Sequence, residues 1–200
     1  MIELYTWTTP NGRKASIMLE EVGLPYAVHA VDIGKNESRT DAFLAMSANG
    51  KIPVIVDTDS GRTVSESGAI LLYLADKSGQ LLPGGETLEW MFFQAAHVGP
   101  MLGQLGYFKV FAKEPVPAAI ERFETEVARV LGVLDVRLGR APHLGGSAFG
   151  LADIMTYPWM VTARDRFGID LSTMPNLARW VAQVGARPAV VRGMAVPAIG

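Results

Sequence analysis

The chain has 200 residues, 49 % of them apolar and 19 % charged, a balance that belongs to a folded globular protein rather than a disordered one. A net charge of −2, with no run of three like charges, argues against nucleic acid and an anionic membrane surface as partners. Cysteine is absent, which excludes a disulfide scaffold, a thiolate zinc site and any protein thiol as nucleophile; thiol chemistry here needs a thiol brought by a ligand.

Ile2 to Tyr5 alternates apolar with polar and predicts a short strand. Thr8-Thr9-Pro10-Asn11-Gly12 reads as a turn by composition. Ala15, Met18, Leu19 and Val22 then recur at helical spacing, and Gly23 with Pro25 beyond it is a stop signal. Ala27 to Val31 predicts a second strand, so the opening is strand, helix, strand, the unit that gives parallel pairing. A third strand follows Lys51-Ile52-Pro53, and Asp59-Ser60-Gly61 turns it into a hairpin with Arg62-Thr63-Val64. A helix from Ser67 runs to Gly79.

Pro83-Gly84-Gly85 marks residues 80–86 as a linker, with an α/β domain at 1–79 and an all-helical domain at 87–200. In the second domain Ile120, Phe123, Val127, Val130, Leu134 and Leu138 make one long amphipathic helix. Leu151 to Val161 is apolar all round, the pattern of a buried helix. Leu177, Trp180, Val181 and Val184 form another stripe, with Pro175 at the first helical position. The longest apolar stretches, such as residues 69–75, are far shorter than the ~20 residues of a membrane span, and no signal sequence opens the chain, so a cytoplasmic protein is expected.

Several common sites are missing. His29, His97 and His143 lie far apart with no metal-ligand spacing, so no metal is expected. The glycine run 145–150 lacks the lysine of a phosphate loop, and Ser67 lacks the upstream glycine of a nucleophile elbow. Two places carry more specific chemistry. Proline at a strand's first residue is ordinary, yet Ile52-Pro53 also suits a cis bond beside a peptide ligand; cis forms are only about 5–6 % of X–Pro bonds, and the residues alone leave both open. Ser65-Glu66-Ser67-Gly68 opens a helix. Serine N-capping accounts for it, but so does a site for an α-amino acid head group, with the helix start taking the carboxylate and Glu66 the ammonium.

The segments Thr9-Pro10-Asn11-Gly12, Leu19 to Tyr26, Val31 to Lys35, Lys51-Ile52-Pro53, Glu66 to Ala75, Gly99 to Gln104 and Ile120 to Phe123 resemble, in order, those of the glutathione transferase superfamily. Within it the chain is most similar to the bacterial nu-class glutathione-dependent disulfide-bond oxidoreductases. The resemblance implies an N-terminal thioredoxin-like βαβ-ββα domain that binds glutathione, followed by the family's all-helical domain. It implies a cis Ile52–Pro53 bond whose backbone pairs with the cysteinyl unit, and Glu66 and Ser67 on the γ-glutamyl ammonium and carboxylate. Thr9 and Asn11 would lie beside the sulfur, and Arg129 would reach a ligand across a homodimer. Lys51 would attract the glycyl carboxylate by charge. Ser38 stands where relatives carry glutamine, and Ala48-Asn49-Gly50 replaces Pro-Asn-Asn with a looser loop.

The implied chemistry is glutathione as co-substrate with a small-molecule disulfide or electrophile. A thiol with pKa near 8.5 is only a few per cent thiolate at pH 7, so lowering it by about two units needs roughly 2.7 kcal/mol of hydrogen bonding to the anion. Thr9 and Asn11 are the donors expected to supply this; Tyr5 is the competing choice, although its place in the strand pattern counts against it. Without cysteine, disulfide reduction takes two glutathiones, one to attack and one to resolve. The aromatic residues Tyr107, Phe108 and Trp159 are candidates to line the substrate side. A non-catalytic glutathione-binding or regulatory protein on the same fold is the alternative reading.

Overall fold

The computed structural model describes residues 1–198; residues 199–200, the end of the expected helical domain, lie outside them. In chain order the main elements are β1 (Ile2–Thr6), α1 (Pro10–Val22), β2 (Tyr26–Ala30), α2 (Asp41–Met46), β3 (Val54–Asp57), β4 (Arg62–Ser65) and α3 (Ser67–Ser78). They continue with α4 (Gly85–Phe93), α5 (Gly99–Gly106), α6 (Pro117–Arg140), α7 (Leu151–Phe167), α8 (Pro175–Gly185) and α9 (Pro188–Met194). These make two compact units, one of residues 1–83 with the segment from 186 onward, the other of residues 84–185.

The first unit is a four-stranded sheet of order β2-β1-β3-β4. β1 runs parallel to β2 because α1 crosses between them, and antiparallel to β3, which turns back as a hairpin into β4. Leu4 and Ile55 lie opposite each other and are wholly buried on the face that α1 and α3 cover. Tyr5 and Val54, the next opposed pair, point to the other face and pack with Val31, Phe43, Met46 and Ile52. Both faces are therefore covered, and the alternation of the strands has a physical cause.

Thr8 to Gly12, which composition reads as a turn, is a helix cap and the first turn of α1. Thr9 Oγ1 accepts the Gly12 N–H at 3.1 Å, and Pro10 sits at the first helical position, where its missing N–H costs nothing. Gly23 and Gly79 end α1 and α3 in the left-handed conformation, at φ 67° and 68°, as their stop signals predict. α9 returns to α1. Ser16 Oγ donates to the Gly193 carbonyl at 2.7 Å, and Arg187 forks onto Glu21 through two bonds of 2.7 Å. Arg192 Nε adds a bond of 2.6 Å to Glu20.

In the second unit residues 85–111 form one continuous helical run, α4 and α5 each followed by a π-turn, at Gln94–Val98 and Tyr107–Phe111. α7 is buried from Leu151 through Met160, as its unbroken apolar pattern predicts. Gly150 offers no side chain to cap it, but Asp153 supplies the reciprocal half of the box. Its carboxylate accepts the Gly150 and Leu144 N–H groups at 3.0 Å each and the Trp180 indole N–H at 2.7 Å. The α8 stripe Leu177, Trp180, Val181, Val184 is buried, and Asp135 of α6 caps that helix through the Asn176 and Leu177 N–H groups, each at 2.9 Å. Among the described residues no helix is long and apolar enough to cross a membrane.

Candidate functional site

Register gathers the candidate residues of the first unit at one end of its sheet. Tyr5 opposes Val54 and Val54 opposes Ser65, so the end of β1, the start of β3 and the end of β4 lie side by side. The chain leaves β1 toward Thr9, enters β3 from Ile52-Pro53, and leaves β4 into Glu66-Ser67. Three segments drawn from residues 9–67 therefore converge at one end of the sheet.

Each segment has a local cause. The Ile52–Pro53 bond is cis, as expected, with Pro53 buried and Ile52 half-buried; Val196–Pro197 is also cis. Lys51 is exposed, and its carbonyl accepts from Ser47 Oγ at 3.2 Å. Thr9 spends an oxygen lone pair on Gly12 N–H, which leaves its hydroxyl proton free to point away from the helix. Asn11 is half-buried in the first turn of α1. Gly12 permits this close seat: a Cβ there would stand 2.3 Å from the Trp7 carbonyl oxygen and 2.5 Å from Thr6 Oγ1.

At the third segment the structure differs from a plain serine cap. Glu66 is the N-cap of α3, its backbone at φ 67°, a region a residue with a Cβ rarely occupies, and its exposed side chain makes no capping bond. Ser67 is the first helical residue. No side chain of the N-cap covers the helix start, and the Glu66 carboxylate stands beside it.

Lys14 is the residue that sequence reasoning missed. It is 2 % exposed, and its Nζ lies 3.4 Å from Ser67 Oγ, joining α1 to the head of α3. Burial lowers its pKa from 10.5 to about 7, with Glu66 opposing the fall. A signal was present: Lys14 stands four residues before Met18 and eight before Val22, on the apolar side of α1.

Other candidates are placed as follows. Tyr5 packs in the Val31–Phe43–Val54 cluster and stacks on His29 at 4.5 Å, so its ring serves the sheet's second face. Ser38 is buried in a short 3-10 turn. Gly50 does not loosen its loop: it is buried at φ 61°, where a Cβ would meet Arg39 Nη1 at 2.7 Å, and Arg39 donates to the Asn49 carbonyl at 3.3 Å. Arg129, in the second unit, forks onto Glu126 of its own helix at 3.0 and 2.6 Å. It lines a groove of about 680 Å³ between α4 and α6 with Glu89, Trp90, Val133 and Arg137. Phe92, near that groove on α4, is 71 % exposed. Of the three aromatic candidates, Tyr107 is exposed, Phe108 half-buried against Phe123, and Trp159 buried.

Comparison with known proteins shows the family. Residues 8–77 match the family model of the glutathione S-transferase N-terminal domain, and residues 117–183 that of the C-terminal domain. The disulfide-bond oxidoreductase YfcG of Escherichia coli is 42 % identical, over 100 % of this chain and 97 % of that protein. A glutathione transferase of Burkholderia graminis, solved with two glutathione molecules per subunit, superposes with a TM-score of 0.92 at 41 % identity, covering 100 % of this chain and 89 % of its own. One from Pseudomonas putida, solved with one glutathione disulfide per subunit, gives 0.90 at 39 % identity over 98 % and 91 %. On the strength of both domain matches and a full-length likeness, the chain belongs to the glutathione S-transferase family.

Proposed function

We propose that this protein is a cytoplasmic, homodimeric, glutathione-dependent enzyme whose main reaction is the reduction of small disulfides, with conjugation of electrophiles or reduction of peroxides by the same thiolate. The observation that carries this reading is the meeting of Thr9-Asn11, Ile52-Pro53 and Glu66-Ser67 at one end of the sheet in a chain without cysteine. Residues 1–79 serve as the glutathione-binding domain, 80–86 as the linker and the remainder as the helical domain. Names and bound ligands of the relatives, a disulfide-bond oxidoreductase and a transferase holding two glutathiones per subunit, support the same direction.

Glutathione supplies the thiol. Glu66 takes the γ-glutamyl ammonium and the head of α3, with the Ser67 hydroxyl, its carboxylate. The Ile52 backbone pairs with the cysteinyl unit, Pro53 shapes that edge, and Lys51 attracts the glycyl carboxylate. Thr9 and Asn11 donate to the sulfur and hold it as thiolate; neither acts as a base at neutral pH. The thiolate attacks one sulfur of the substrate disulfide, the other sulfur leaves as a thiolate, and a second glutathione resolves the mixed disulfide to glutathione disulfide and a free thiol. No protein sulfur takes part. A reducing, glutathione-rich compartment suits this cycle, which supports the cytoplasm.

The homodimer is supported by the exposed Phe92 of α4 and by the groove beside it, which sets Trp90, Val133 and Val136 among charged side chains. In such a dimer Arg129 exchanges Glu126 for the partner's ligand. The test is an activity panel with glutathione and a model disulfide, a nitroaryl halide or an organic peroxide, run beside light scattering. Turnover greatest with the disulfide, on a dimeric protein, is the expected result. Glutathione binding without turnover of any substrate would favour the non-catalytic reading, and a monomer would remove the role of Arg129.

A further inference from the structure

Lys14 is a charged residue held inside the first unit. The stripe Ala15, Met18, Leu19 and Val22 already seats α1, and lysine is among the residues least often buried. What its position does accomplish is contact with Ser67, 3.4 Å from Nζ to Oγ across the gap between α1 and the start of α3. An ammonium has donors only, so Ser67 Oγ must accept from it. The single hydroxyl proton of Ser67 is then directed elsewhere. A neutral amine, with its lone pair, could instead accept that proton and turn the hydroxyl inward. The charge on Lys14 therefore decides which way Ser67 donates.

We propose that Lys14 is a positioning residue for the amino-acid end of the ligand: its buried ammonium holds Ser67 Oγ as acceptor and thereby presents the Ser67 hydroxyl proton, backed by positive charge, to an α-carboxylate at the head of α3. Glu66 and Lys14 then form a plus-and-minus pair that mirrors the zwitterion it receives. This rests on the glutathione reading above and adds a residue to it.

Among the charged groups of the described elements around Lys14, Glu66 is one that acts on it electrostatically. On α9, Arg187 and Arg192 are occupied by Glu21 and Glu20 of α1. On α3, Lys77 is held by Asp57 and Asp59, and Asp76 is exposed at the far end; on β1, Glu3 pairs with His29. Arg13 is its neighbour on α1. With its pKa pressed by burial to about 7, Lys14 is part ammonium and part amine near neutrality. An arriving carboxylate favours the ammonium, so binding takes up a proton.

The experiment is calorimetric titration with S-methylglutathione, which has no thiol to titrate, between pH 6 and 8. It is run on the wild type, Lys14→Met, Ser67→Ala and the double variant, each checked by thermal melting. Wild-type affinity should fall roughly tenfold from pH 6 to pH 8, the linkage expected of a group titrating near 7. Each single variant should bind about tenfold to hundredfold more weakly, because a charge-assisted hydrogen bond is lost. The double variant should be no worse than the poorer single, and Lys14→Met should lose the pH dependence. A merely structural lysine would lower the melting temperature but give additive losses and the wild-type pH slope, and either of those overturns the proposal. A flat wild-type profile overturns it without any variant. If the wild type does not bind S-methylglutathione at all, the glutathione reading itself fails.

Discussion

Replacing Lys14 by methionine should make the folded protein more stable. A lysine whose pKa drops from 10.5 to about 7 is, at neutral pH, held against a preference of ~5 kcal/mol for losing its proton or leaving the interior, at ~1.4 kcal/mol per tenfold. Methionine has nearly the same length and fills the same space without charge. Among the losses that offset the gain are the bond to Ser67, roughly 1 kcal/mol, and the partial neutralisation of Glu66, exposed and therefore small. The net expectation is a stabilisation of about 2–4 kcal/mol at pH 7, or an upward shift in melting temperature of ~5–15 °C. The pH dependence gives the sharper check. Between pH 7 and 10 the unfolded chain binds a proton that the folded one lacks, so wild-type stability rises with pH across that window. The variant lacks this slope, and the gap between the two should close as pH rises. Urea melts at pH 6, 7 and 9 measure it. A variant less stable than wild type at pH 6, or a gap that does not narrow by pH 9, would refute the reasoning.

Three further perturbations test other parts of the fold. Burial alone would raise the Asp57 pKa, but bonds from Lys77, Tyr73 and the Asp59 N–H hold the carboxyl far below the usual carboxylate range. Asp57→Asn should therefore destabilise the protein by about 1–3 kcal/mol at neutral pH. Asp57's share is present above the unfolded carboxylate pKa of ~4 and lost as pH falls below it, so acid melts of wild type and variant should converge. Gly193→Ala should lift α9 from α1, because the new Cβ would stand 2.5 Å from Ile17 Cα and 2.6 Å from its backbone N. The expected cost is about 1–3 kcal/mol, with faster hydrogen exchange in α1. Gly12→Ala, whose Cβ would meet the Trp7 carbonyl, should displace the first turn of α1 and lower glutathione affinity more than stability.

Much of this was readable from residues alone, for reasons visible in the structure. Gly23 and Gly79 work as stops because each adopts a conformation closed to most side chains, a property local to the residue. The buried stripes of α6 and α8 follow from spacing because each faces one packed surface, while α7, enclosed on every side, is apolar all round. Pro10 misled, since a proline beside Asn-Gly resembles a turn and also suits the first position of a helix; only the Thr9 cap distinguishes them. Ser67 misled in the same way, because which residue caps α3 depends on the unusual backbone of Glu66. Gly50 owes its place to Arg39 and Ser38, contacts no local pattern announces. Lys14 was hidden by the rule that charge faces water, which its periodic position contradicted.

The return of α9 to α1 has a consequence for how the molecule is made. During synthesis the strands and helices of residues 1–83 emerge before α9, so the surface of α1 that receives Ser16–Gly193 and the two arginine pairs stays bare until residues 187–193 leave the ribosome. These contacts span more than 160 residues of sequence, and such distant closures are slow. The intervening helical unit, residues 84–185, has by then had the whole of its own synthesis in which to fold. The nascent first unit should accordingly bind chaperones through α1, and a chain cut before Pro188 should remain their client.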